Sequence, residues 1–98
     1  MRIPTLIVDD EPLARRGLAL RLARHQDIDI VAEAGNGREA FLAISEHQPQ
    51  LMFLDVQMPG VDGFELLRAV PAAQLPLTIF VTAYDQYALK AFEANALD

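Results

Sequence analysis

An α/β fold built on a parallel sheet is what this sequence predicts, and three observations carry that reading. Short apolar runs, Thr5-Leu6-Ile7-Val8, Leu51-Met52-Phe53-Leu54 and Leu77-Thr78-Ile79-Phe80-Val81, alternate with segments of helical character. The first two runs each stop at carboxylates, Asp9-Asp10-Glu11 and Asp55, followed closely by Pro12 or by Pro59-Gly60. Strands separated by helices pair in parallel through right-handed crossovers, so their ends share one sheet edge. Open α/β folds place their sites on that edge. Charge where burial would otherwise continue is costly unless it is paired or solvated, so these acids need a reason to be there.

Each element has a local cause. Ile3–Asp9 is the first strand. Pro12 suits a first helical position, and with Asp10 or Glu11 as cap it opens a helix to about Arg24, its apolar face built from Leu13, Leu18, Leu20 and Leu22. Ile28–Ala34 is a second strand, more polar on one side. Gly35-Asn36-Gly37 turns into a second helix to about His47, with Ala40, Leu42 or Phe41, Ala43 and Ile44 facing inward. Leu51–Asp55 is the third strand, and a short helix follows near Asp62–Ala69. Pro71–Pro76 reads as a loop, Leu77–Thr82 as a fourth strand, and Asp85 caps a last helix through about Ala94. No repeat or interdomain linker interrupts the 98 residues, so residues 1–98 read as one domain.

Composition narrows the function classes. A hydrophobic content of 52% supports a packed core. With no cysteine there is neither disulfide nor thiolate metal site, and no apolar stretch approaches the ~18 residues of a membrane span. A cytoplasmic protein is the expectation. The net charge of −6 opposes direct binding to DNA or anionic lipid. Arg15, Arg16, Arg21 and Arg24 cluster mildly, as a solvated helix face would. Lys90, His25 and His47 read as solvated surface residues, Tyr84 and Tyr87 as packing or partner-surface residues.

The acids suggest the chemistry. Asp9, Asp10 and Asp55 should converge, and two like charges ~4 Å apart repel by ~4 kcal/mol at an effective dielectric near 20. Either one carboxyl takes a proton or a cation sits between them. An all-oxygen ligand set suits Mg²⁺ or Mn²⁺. A carboxylate beside such an ion can attack phosphorus and form an aspartyl phosphate. The transferred group then needs a hydroxyl, and Thr82 at the end of the fourth strand offers one.

Val8-Asp9-Asp10-Glu11-Pro12, Leu54-Asp55-Val56-Gln57-Met58-Pro59, Gly63 and Val81-Thr82-Ala83, in this order, resemble a receiver domain of a bacterial two-component response regulator. The segment from Thr82 to Glu93 is similar to the LytTR-type subgroup. The resemblance covers the whole chain. It implies a flavodoxin-like sheet of order 2-1-3-4-5, phosphorylation of Asp55 by a sensor histidine kinase, and Thr82 as a switch hydroxyl. It also implies Mg²⁺ held by Asp10 and Asp55 directly, by Asp9 through water, and by the backbone carbonyl of Gln57. On the same resemblance the chain is a signalling module that catalyses its own phosphorylation, with DNA reached only through a separate output domain.

Receivers carry a Lys-Pro after a fifth strand. Here the sequence stops at Asp98, so the fifth strand and fifth helix are expected to be missing, and Lys90 sits mid-helix. A bare fourth-strand edge would invite a homodimer. A module that shares the fold but signals by contacts without phosphorylation is therefore the alternative. Two further readings are weaker. Gly35-x-Gly37-x-x-Ala40 mimics a dinucleotide fingerprint, but Glu33 interrupts the strand before it and the aspartate pair has no role there. A haloacid dehalogenase type of phosphatase wants a second aspartate where Gln57 stands.

Overall fold

The computed structural model describes residues 2–55 and 63–81. In chain order they form strand β1 (Ile3–Val8), helix α1 (Pro12–Leu22), β2 (Ile28–Ala34), α2 (Gly37–His47), β3 (Leu51–Asp55), α3 (Gly63–Ala69) and β4 (Leu77–Val81), with a single 3-10 turn at Ala72–Gln74. The strands lie in the order β2-β1-β3-β4, every pairing parallel. This is the order predicted for the first four strands. The expected helix from Asp85 and the turn at Met58-Pro59-Gly60 lie outside the described residues.

β1 and β3 are the inner strands, which is why they read as unbroken apolar runs: a parallel sheet is covered on both faces. Alternate residues go to opposite sides. Leu6 and Val8 of β1 join Met52 and Leu54 of β3 in a core closed by Ala40 and Ile44 of α2, by Leu66 of α3 and by Val70 just after it. Ile7, Leu51 and Phe53 point the other way and pack with Ile28 and with Leu22 of α1.

α2 is held at both ends. Asn36 Oδ1 accepts the Glu39 N–H at 2.8 Å, and Glu39 Oε1 accepts the Gly35 N–H at 2.7 Å, a reciprocal cap that satisfies two orphan donors. Gln48 closes the helix in the left-handed region at φ 48°, its N–H bonded to the Ile44 carbonyl, and Pro49 prevents continuation. The Gly35–Gly37 turn is therefore a helix start with its own cap, which explains the glycines without a dinucleotide.

The apolar face expected for α1 needs correction. Only Leu22 is buried; Leu13 is 84% and Leu20 64% exposed. At 3.6 residues per turn, both stand roughly 160–180° around the helix from Leu22. Leu18 and Ala19, packed against the second core, make up the rest of the apolar part of the inward stripe. In α2, Phe41 and Leu42 are exposed as well, leaving Ala40 and Ile44 buried and Ala43 packed beside them. Leucine count alone is a poor guide here, because a short helix over a sheet buries one narrow stripe.

Candidate functional site

Register builds the site. Val8 pairs with Leu54 across β1 and β3, so the next residues, Asp9 and Asp55, fall side by side at the carboxyl edge. Adjacent strands lie about 4.7–4.9 Å apart, which fixes the scale of their separation. Carboxylate oxygens of Asp9, Asp10 and Asp55 all lie within 4.8 Å of one another. Asp55 is the buried member at 9% exposure, while Asp9 and Asp10 are half-buried. The three acids singled out in the sequence are thus brought together. Thr82 and Gln57 lie outside the described residues; Val81, the residue before Thr82, pairs with Asp55 across β3 and β4.

Asp9 is pinned by three hydrogen bonds. Its N–H donates to the Ala34 carbonyl at 3.0 Å, continuing the β1–β2 ladder beyond Val8. Its Oδ1 accepts the Glu11 N–H at 2.9 Å, an Asx-type turn that leads the chain into α1. Its carbonyl accepts from Arg15 Nη1 at 2.6 Å. Glu11 occupies the cap position of α1 but makes no side-chain cap bond, so neither Asp10 nor Glu11 caps through its side chain as expected. That leaves the Asp10 carboxylate at the cluster.

Burial pushes the Asp9 carboxyl above its usual range. The Glu11 N–H opposes this, and the charges of Asp55, Asp10 and Glu11 reinforce it. The folded chain thus holds this proton to higher pH than the unfolded chain does. Above the ordinary carboxylate value of 3.8, rising pH therefore costs stability through the window up to the raised value. Asp9→Asn keeps the Oδ1 acceptor without the charge. In metal-free buffer it should match the parent below that window and exceed it at neutral pH, by roughly 0.5 kcal/mol since water screens a half-exposed acid. Urea melts across that pH range check this; a gap of the opposite sign at neutral pH would contradict it.

The donor set fits a hard divalent cation. Three carboxylates supply oxygen alone, within a span that one small ion can bridge, and they carry mutual repulsion that a cation would relieve. Among the described residues no histidine or cysteine joins them.

The chain matches the response regulator receiver domain family over residues 5–98. It belongs to that family. The receiver domain is 46% identical over 96 residues to the transcriptional regulatory protein BtsR of Salmonella typhi and 45% identical to BtsR of Escherichia coli K12. Each alignment covers 98% of this chain but 40% of the relative, so the receiver spans about two fifths of the curated proteins it matches. Among solved structures it resembles a LuxR-family response regulator from Aurantimonas, with a TM-score of 0.78 and 30% identity over 97% of this chain and 70% of that one. The receiver domain of NarL from Mycobacterium tuberculosis gives a TM-score of 0.75 and 32% identity, covering 91% and 77% of the two chains.

One residue at this edge departs from what the sequence suggests. Arg15 is expected on a solvated face with Arg16, Arg21 and Arg24, yet it is half-buried and turned inward, while the other three are exposed. The helical wheel holds the signal: Arg15 lies roughly 20° from Leu22, on the stripe that meets the sheet.

Proposed function

We propose that this receiver domain is a phosphoacceptor, taking a phosphoryl group from a sensor histidine kinase onto Asp55 and thereby switching an output domain, of transcriptional type as in the BtsR proteins. The observation that carries this is the convergence of Asp9, Asp10 and Asp55 at the ends of the two inner strands. Asp55 is the nucleophile in this reading because it terminates β3 itself and is the most buried of the three. One of its carboxylate oxygens attacks phosphorus, the bond from phosphorus to the donor breaks, and the donor departs with its electron pair. Asp10 and Asp55 would hold Mg²⁺ directly, Asp9 through water, and the Gln57 carbonyl would complete the protein ligands. When bound, the ion supplies positive charge to the phosphoryl oxygens and the clustered acids.

Thr82 is the proposed switch hydroxyl, supported by its place directly after Val81, the partner of Asp55 across β3–β4. A phosphoryl group on Asp55 would draw that hydroxyl inward and bias the segment from about Asp85 to Ala94, a local charge event acting on a two-state element. A cytoplasmic location accords with the kinase partner; among the described residues no helix is long and apolar enough to cross a membrane.

Incubation with Mg²⁺ and a small phosphodonor, read by intact mass, tests the reading. One phosphoryl increment is expected, and none when a chelator is present from the start of the incubation. No increment at any donor concentration would favour the alternative, a module that signals by contacts alone. Binding of the ion is checked separately. Mg²⁺ titration should saturate, and Asp10→Asn should weaken it roughly 10-fold or more, since one direct ligand and one charge are lost. Equal affinity in that variant would remove Asp10 from the ligand set.

A further inference from the structure

We propose that Arg15 is a positioning residue of the acidic site, holding the Asp9–Glu11 loop at the geometry that receives the metal. The inference rests on the Mg²⁺ reading above. Arg15 reaches from α1 to the backbone of the site, where Nη1 donates to the Asp9 carbonyl at 2.6 Å. From the other side its Nε stands 3.6 Å from Glu33 Oε1 on β2, a charge contact too long for a hydrogen bond. That Nε is buried and has no hydrogen-bond partner among the described residues. Burying a guanidinium nitrogen unsatisfied costs stability, so the side chain is kept here against a local penalty.

The space around it is shaped to match. A Cβ on Gly35 would come within 3.1 Å of Arg15 Nη1 and 3.3 Å of Glu39 Oε1. Gly35 thus gives the guanidinium room between the end of β2 and the cap of α2. The fork thereby links two parts, the backbone carbonyl of Asp9 and the Glu33 carboxylate, and lies beside the β2–α2 turn. Asp9 cannot shift toward solvent without breaking a charge-assisted hydrogen bond. Its carboxylate direction is set by the Glu11 N–H, so fixing the carbonyl and the side chain together fixes the ligand face. Partners that orient ligands in this way commonly contribute 10–100-fold to metal affinity.

Positioning and charge make opposite forecasts. A cation beside three carboxylates opposes Mg²⁺ electrostatically, so if charge were all that mattered, removing it would tighten binding. If Arg15 orients the loop, removing it weakens binding. Mg²⁺ alone is titrated into the folded protein while backbone amide signals of Asp9, Asp10, Glu11 and Asp55 are followed by NMR. Arg15→Gln is expected to raise the Mg²⁺ Kd about 10-fold. Arg15→Lys should rescue only part of the loss, because a point charge lacks the planar fork. Arg16→Gln removes the neighbouring exposed cation without any contact to Asp9, and it should leave the Kd unchanged or slightly lower. Should Arg15→Gln fail to fold, Arg15→Lys carries the test by the same titration. Parent-like or tighter binding in a folded Arg15 variant overturns the positioning role. Absence of saturable binding in the unaltered protein overturns the Mg²⁺ reading itself, and the inference with it.

Discussion

Asp55→Asn should abolish phosphoryl incorporation outright while leaving the domain folded. The amide has no anionic oxygen to attack phosphorus, so no acyl phosphate can form at that position. Its shape is nearly that of the acid, and Asp55 sits at a strand end among carboxylates within 4.8 Å, so the substitution also removes repulsion. In metal-free buffer the variant should therefore melt at the same temperature as the parent or higher. Intact mass after exposure to Mg²⁺ and phosphodonor should show the unmodified chain alone. Retained incorporation would mean that another residue is the acceptor.

Phe53→Ala should be the most damaging single change to stability. Phe53 is 1% exposed on β3, an inner strand, and it packs in the core formed with Ile7, Leu22, Ile28 and Leu51. Truncating a buried phenylalanine costs about 3–5 kcal/mol, comparable to the whole stability of many small domains. A fall in Tm of roughly 15 °C or more is expected, or loss of the cooperative transition. Leu13→Ala makes the contrast. That side chain is 84% exposed, so its loss should stay within about 0.5 kcal/mol. Comparable melts for the two variants would mean that the core has been misassigned.

Much of the fold and of the acidic site is legible in the sequence. Continuous apolar runs ending in acids define β1 and β3, and the alternation with helices defines a parallel sheet whose strand ends share one edge. The order β2-β1-β3-β4 is the one that the receiver resemblance implies, and the register of β1 against β3 then brings Asp9, Asp10 and Asp55 together. The orientation of α1 is not legible in the same way. Its leucines are scattered around the helix, so counting apolar residues gives no unique face, and the inward stripe includes Arg15. The role of that arginine depends on a backbone carbonyl of Asp9 and on Glu33, residues that only the packing of α1 against β2 brings within its reach. The cap position of α1 is legible, since Glu11 is one of the two residues expected there, but the bond is not. Glu11 makes no side-chain cap bond, and the side chain that engages the backbone at this end is Asp9, accepting the Glu11 N–H.

Mapping the modified residue decides whether Asp55 is the phosphoacceptor. After treatment with Mg²⁺ and phosphodonor, borohydride reduction converts an aspartyl phosphate to homoserine, which peptide mass spectrometry locates. Homoserine is expected at position 55, and an unmodified chain when Mg²⁺ is withheld. A stable phosphate ester on Ser45 or Thr82, or homoserine at Asp9 or Asp10, would contradict it.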